Sequence, residues 1–216
     1  MERMTRMAAF DFRKDRKDLY LPPTAPTIAD VPAMPFLMAD GTGDPNAGEA
    51  YAAAVQSLMG LSYAISMSKA EPGYFEYVVP PLEGLWDFAE PKAALNGNGF
   101  DKGGFVWTML VRQPEFVPPE VLEKAKAKLS KKKPELSLAN VRLERYAEGL
   151  CVQALHMGPY DDEPATVKAM ERYQEQRGFR LDYSKTRRHH EIYLSDPRKC
   201  APEKMRTVLR LPIKKR

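Results

Sequence analysis

Apolar residues recur at three- and four-residue steps over residues 47–69. Tyr51, Val55, Leu58, Leu61 and Ile65 therefore share one face of a predicted helix. A second helix is predicted over 119–132, with Pro118 and Pro119 at its start and Val121, Leu122, Ala125 and Leu129 facing inward. A third spans 163–177, with Val167, Met170 and Tyr173 on one face and Gly178 at its end. Between these lie short apolar runs that read as strands: 36–39, 74–79 running on toward Trp86, 105–111, 190–194 and 208–213. Residues 141–157 read as one or two strands, with Gly149 a turn between them. The charged stretch 11–18 reads as a solvated start, and 19–35, with five prolines, as an extended lead-in. Asp40–Asn46, Glu71-Pro72-Gly73, Asn96–Gly99 and Gly158–Asp162 are turn clusters.

The elements come in a repeated order. Gly43-Asp44-Pro45 precedes the first helix and Gly158-Pro159 the third. A glutamate-bearing strand follows each: Leu82-Glu83-Gly84-Leu85-Trp86, then His190-Glu191-Ile192-Tyr193. Each half closes on a similar strand, Leu110-Val111-Arg112-Gln113-Pro114 and Val208-Leu209-Arg210-Leu211-Pro212. The order predicts an α+β fold of two pseudo-twofold-related modules whose strands join in one antiparallel sheet around a central ligand cleft. The chain divides into a lead-in 1–34, a first module 35–134 and a second module 135–216, together one unit.

Composition sharpens this. The chain has 216 residues and 19 prolines, well above the ~5% of an average protein, which argues against a helical bundle. Lys plus Arg is 33 and Asp plus Glu 29, a net charge of +4 that points to no partner by itself. No apolar run of about 18 residues occurs, so no membrane partner is expected. Residues 1–18 hold no apolar signal core, so a cytoplasmic location is expected. The basic end of the second helix, Lys124 to Lys133, has no interleaved aromatics and gives nucleic-acid binding little support. Cys151 and Cys200 form no CxxC pair, and no phosphate- or dinucleotide-binding glycine pattern is present. No metal or cofactor is expected.

The candidate chemistry lies on the late strands. Glu191 is the sharpest candidate, with Tyr193 on its face by strand period. A carboxyl group in an aromatic cleft is desolvated and suited to take or give a proton near neutral pH, or to pair with a cationic ligand. Glu83 and Trp86 follow. A bulge at Gly84 would turn both to one side, with Trp86 stacking on a planar ligand. Trp107, Tyr63 and Tyr160 are further candidates to line the cleft. His189 and His190 point to opposite faces and read, with His156, as solvated or core histidines.

Several motifs carry a family resemblance. Lys17-Asp18-Leu19-Tyr20, Asp30–Pro35 and Asp40–Asn46 resemble the opening of stand-alone GyrI-like small-molecule-binding proteins. Glu191–Pro197, Pro202-Glu203-Lys204 and Leu209–Pro212 resemble their ending. The resemblance implies two strand-helix-strand-strand modules enclosing an aromatic pocket. Relatives fused to DNA-binding domains bind hydrophobic cations against a pocket glutamate, which resembles Glu191 here. Stand-alone members are implicated in hydrolysing cyclopropane-bearing DNA alkylators of the yatakemycin and duocarmycin type. The resemblance thus implies a cyclopropanoid hydrolase in which Glu191 activates water, Tyr193 or Tyr160 assists at the carbonyl, and Trp86 stacks. The other function class is a non-catalytic binder of planar or cationic hydrophobic drugs. A gyrase-inhibitor-like protein partner is suggested by the family name alone.

Overall fold

The computed structural model describes residues 8–89 and 102–216, so the predicted Asn96–Gly99 turn lies outside the described residues. The start is not merely solvated. It forms two single-turn helices, α1 (Phe12–Asp15) and α2 (Lys17–Tyr20), because Phe12, Leu19 and Tyr20 bury while the charged residues between them face out. Asp11 caps α1 through its side chain to the Arg13 amide. The lead-in also contains a strand that proline spacing concealed, β1 (Thr27–Val31).

The first module holds β2 (Met34–Thr42), α3 (Glu49–Ser66), β3 (Leu82–Phe88), β4 (Phe105–Arg112) and α4 (Pro119–Lys132). Residues 74–79 are not a strand. Only Tyr77 makes a bridge, to Phe10. Pro80 and Pro81 lack amide donors, and the aromatic side chains of Phe75, Tyr77 and Phe116 pack edge-on with one another instead. The second half holds β5 (Arg142–Tyr146), β6 (Gly149–Met157), α5 (Glu163–Gln176), β7 (Phe179–Leu181), β8 (His189–Tyr193) and β9 (Arg206–Lys215). Gly149, at φ +71°, begins β6 just past the turn that follows β5, in a conformation that favours glycine.

The nine strands of the described residues join one antiparallel sheet in the order β1-β6-β9-β8-β3-β4-β2-β5, with β7 added to β9. Read outward from the centre, the order is β3-β4-β2 on one side and β8-β9-β6 on the other. That is the pseudo-twofold expected from the repeat, with β3 and β8 side by side at its middle. The edge strands are exchanged: β1, which precedes the first module, pairs with β6, and β5 pairs with β2.

The sheet's two faces are covered differently. On one, α3 packs Leu58, Leu61 and Ile65 against Leu37, Met109 and Val111, while α5 packs Met170 against Val152 and Leu209. Each such fully buried aliphatic side chain contributes roughly 1.5–3 kcal/mol. On the other face, Leu19 and Tyr20 of α2 close over Phe36, Leu85, Ile192 and Val208. Both α3 and α5 therefore stand on one side of the sheet, and the strands between them, β3 and β8, carry the floor of the cleft. Among the described residues, no helix is long and apolar enough to cross a membrane.

Candidate functional site

Strand period two decides which side chains reach the cleft floor. Across the β3–β8 pair, Gly84 faces Glu191 and Trp86 faces His189. These positions and Tyr193 share the helix-covered face. The missing side chain at Gly84 makes room there: a Cβ would come within 2.7 Å of Trp86 Nε1 and 3.1 Å of the Tyr193 hydroxyl.

A hydrogen-bond chain fills that room. Trp86 Nε1 donates to the Tyr193 hydroxyl at 2.9 Å, and that hydroxyl donates to Glu191 Oε2 at 2.7 Å. His189 Nε2 lies 3.1 Å from Glu191 Oε1. Both carboxylate oxygens of Glu191 are therefore engaged, and its side chain stays 15% exposed on the remaining side. Burial, with the nearby Glu191 charge second, holds the Tyr193 phenol well above its ordinary range, so it stays a donor.

Aromatic rings wall this cluster. Tyr51 of α3 stacks on Trp86 with centroids 6.1 Å apart, and Phe105 meets Trp86 edge-on. Tyr160, in the short turn before α5, sets its ring edge-on against Tyr193 at 5.8 Å and is 37% exposed at the mouth. Burial raises its phenol to about 12, with Glu191 adding to the shift. Trp107 pairs with Trp86 across the strands but is fully buried behind it, against Tyr51.

A second carboxyl group joins from above. Glu163 begins α5 and is 8% exposed, and its Oε1 has no hydrogen-bond partner. Its carboxyl, His189 and Glu191 present atoms within 4.8 Å of one another. The helix N-terminus favours a carboxylate by only ~0.3–1 kcal/mol. Burying an unpaired charge costs several kcal/mol. Burial therefore wins. Reinforced by Glu191 and then Asp161, it pushes the Glu163 carboxyl up to about 9. Within this trio, Tyr193 and His189 engage both oxygens of Glu191, while the Glu163 Oε1 is left without a partner.

Glu83 lies elsewhere. The β3 register is regular through Gly84, with no bulge, so Glu83 and Trp86 face opposite sides of the sheet. This corrects the expectation that Glu83 shares the cleft with Trp86 and Glu191. Glu83 belongs to a buried cluster on the α2 side, 3.0 Å from His190 Nε2, with the Tyr20 hydroxyl donating to it. Glu148 contacts His190 Nδ1 at 3.0 Å and accepts from Arg210 at 2.9 Å. Both His190 contacts are buried ion pairs. Burial alone would lower the His190 imidazole. Glu148 and Glu83 overcome this and raise it to about 9. Burial would raise the Glu148 carboxyl, yet His190 and Arg210 bring it to about 2.

Tyr63 is also remote from this floor. It is 54% exposed on the outer side of α3, in a shallow groove shared with Lys128 and Leu129 of α4. Another groove, of about 450 Å³, lies between α2 and β1, lined by Lys17, Pro22, Ile28 and Gln153. None of the described side chains lining it is aromatic, unlike the β3–β8 floor. Sequence reasoning missed Tyr51, His189 and Glu163. In the sequence Tyr51 reads as helix packing, His189 as one of a bland pair of histidines, and Glu163 only as the first residue of the third helix.

Residues 139–214 match the GyrI-like small molecule binding domain family. Across nearly the full length, the chain is similar to an uncharacterized conserved protein from Listeria innocua, 47% identical, covering 95% of this chain and all of that one, with a TM-score of 0.88. It is also similar to a protein from Listeria innocua described as a hydrolase, 46% identical with the same coverage and a TM-score of 0.86. The C-terminal domain of EcmrR, 13% identical over 88% of this chain and 98% of that one, shares the fold alone at a TM-score of 0.52. No curated protein matches the chain.

Proposed function

The chain belongs to the GyrI-like small-molecule-binding family, and from that premise we propose that it hydrolyses cyclopropane rings activated by a conjugated carbonyl, as found in DNA-alkylating compounds. The observation that carries this reading is the Glu191 carboxylate, fixed by Tyr193 and His189 on an aromatic floor and still open on one side. A base must be both oriented and accessible to deprotonate water. The description of a 46% identical relative as a hydrolase agrees with this reading.

The chemistry follows from the placement. A planar substrate lies against Trp86 and Tyr51. Water attacks a ring methylene while Glu191 takes its proton. The ring C–C bond breaks, and its electron pair moves through the conjugated system to the carbonyl oxygen. A positioned base of this kind contributes ~10²–10⁴-fold. Tyr193 acts as a positioning residue, because its O–H is committed to Glu191. Tyr160, at the mouth, is the better-placed tyrosine to meet the carbonyl. Trp107 supports the wall from behind.

Incubation of the protein with a spirocyclopropyl-cyclohexadienone, followed by mass spectrometry in ¹⁸O-water, tests the reading. Ring-opened alcohol in molar excess over protein, carrying the solvent oxygen, supports it. Product at the buffer rate only rules it out. The second reading is a sequestering site for a hydrophobic cation, favoured by one open carboxylate among Trp86, Tyr51 and Tyr160. A cationic dye bound with equal affinity by wild type and Glu191→Ala would remove it.

A further inference from the structure

Two carboxyl groups share this cleft, and their surroundings differ in kind. Glu191 has a donor on each oxygen, from Tyr193 and His189. Glu163, more than nine-tenths buried, has an unpartnered Oε1. The groups facing Glu163 are Glu191, His189 and Tyr193 from β8, and Tyr160 and Asp161 from the turn before α5. The two charges that act on it, those of Glu191 and Asp161, are both negative. Two carboxylates this close, one with a donor on each oxygen and the other with a buried oxygen that has none, cannot both ionise cheaply. The proton stays on the carboxyl with the unpartnered oxygen.

We propose that Glu163 is the site's proton donor: it delivers a proton to the substrate oxygen that receives the electron pair when the ring opens. This rests on the hydrolytic reading above and completes it. Water's oxygen bonds to the ring methylene, and its proton goes to Glu191. The ring C–C bond breaks, the electron pair settles on the carbonyl oxygen, and the Glu163 proton converts that oxygen to a hydroxyl. The net change is addition of one water, with no oxidant or reductant. The site ends with Glu191 protonated and Glu163 ionised. Their atoms lie within 4.8 Å, so one bridging water returns the proton to Glu163 and resets the cleft. Environments that push two neighbouring carboxyls apart are the pattern of an acid–base pair. The unsatisfied Oε1 gains a role as well, because a buried polar atom without a partner awaits one.

Two measurements on Glu163→Gln test this, with a thermal melt confirming the fold. Isotope-edited infrared spectra of wild type at neutral pH should show a protonated-carboxyl stretch that the variant loses. The variant should also bind substrate with affinity close to wild type while its turnover falls ~100-fold or more. Glu163→Asp, which keeps a transferable proton on a shorter arm, should recover part of that turnover. Absence of the stretch in wild type, or full turnover by Glu163→Gln, overturns the proposal. Wild type without any turnover defeats the hydrolytic reading and the donor role with it, while the stretch still reports where the proton sits.

Discussion

The Tyr193 hydroxyl donates to Glu191 at 2.7 Å while itself accepting from the Trp86 indole. One hydroxyl thus fixes both the carboxylate and the stacking ring. Tyr193→Phe removes the link at both ends and leaves the half-buried Trp86 indole N–H without its acceptor. The expected stability cost is ~1–3 kcal/mol. Turnover should fall ~10–100-fold, the rate equivalent of ~1.4–2.7 kcal/mol, with a smaller change in substrate affinity. Urea unfolding and steady-state kinetics on the same preparation separate the two effects.

Gly84 tests the same arrangement from beneath. A methyl group there meets Trp86 Nε1 at 2.7 Å, closer than Cβ contacts occur. Gly84→Ala should push Trp86 and Tyr193 apart while the strand persists, since alanine suits an extended backbone. Near-ultraviolet circular dichroism should change at the tryptophan bands, and turnover should drop, with the far-ultraviolet spectrum retained.

The Glu163 carboxyl makes a signed prediction for stability. Its folded value, about 9, stands above the ordinary carboxyl range. Below the unfolded value both states hold the proton. Between the two values the folded state keeps it and the unfolded state releases it. Wild type should therefore lose up to ~1.4 kcal/mol per pH unit through this group as pH rises from about 5 toward 9. Glu163→Gln lacks that loss. Its urea midpoint should gain on wild type steadily across this window, and other titrating groups cancel in the difference.

On the opposite face, His190, Glu148, Glu83 and Arg210 brace the two central strands from below. His190 contributes stability that is fully present below its unfolded value and is lost as pH rises through about 9. Glu148 contributes stability present above its unfolded value and lost as pH falls through about 2. His190→Gln leaves Glu148 and Glu83 partly unpaired in the core. It should cost ~3–5 kcal/mol at neutral pH, and denaturant titrations from pH 5 to 9 should show a shallower alkaline decline than in wild type.

Much of this was legible in the chain itself. The periods of α3, α4 and α5 gave their inner faces, and the repeated order of motifs gave the symmetric sheet. The pairing of Glu191 with Tyr193 followed from strand period alone. The errors have physical causes. Glu83 was assigned to the cleft through a bulge at Gly84, but the glycine serves instead to clear space for Trp86 and Tyr193. β1 is hidden among the prolines of the lead-in, and its partner, β6, lies more than a hundred residues away. Glu163 lies 28 residues before Glu191 in sequence, and only the seating of α5 on the sheet brings the two together. His189 reads as inert because local sequence does not reveal which face of a central strand lies beneath the helices.

The most direct test of the account compares Glu191→Gln with wild type in one paired measurement of substrate affinity and ring-opened product. Glutamine keeps the shape and can still meet Tyr193, but it cannot take a proton from water. The account predicts affinity close to wild type and turnover lower by ~10²–10⁴-fold. Ring opening by Glu191→Gln at the wild-type rate would contradict it.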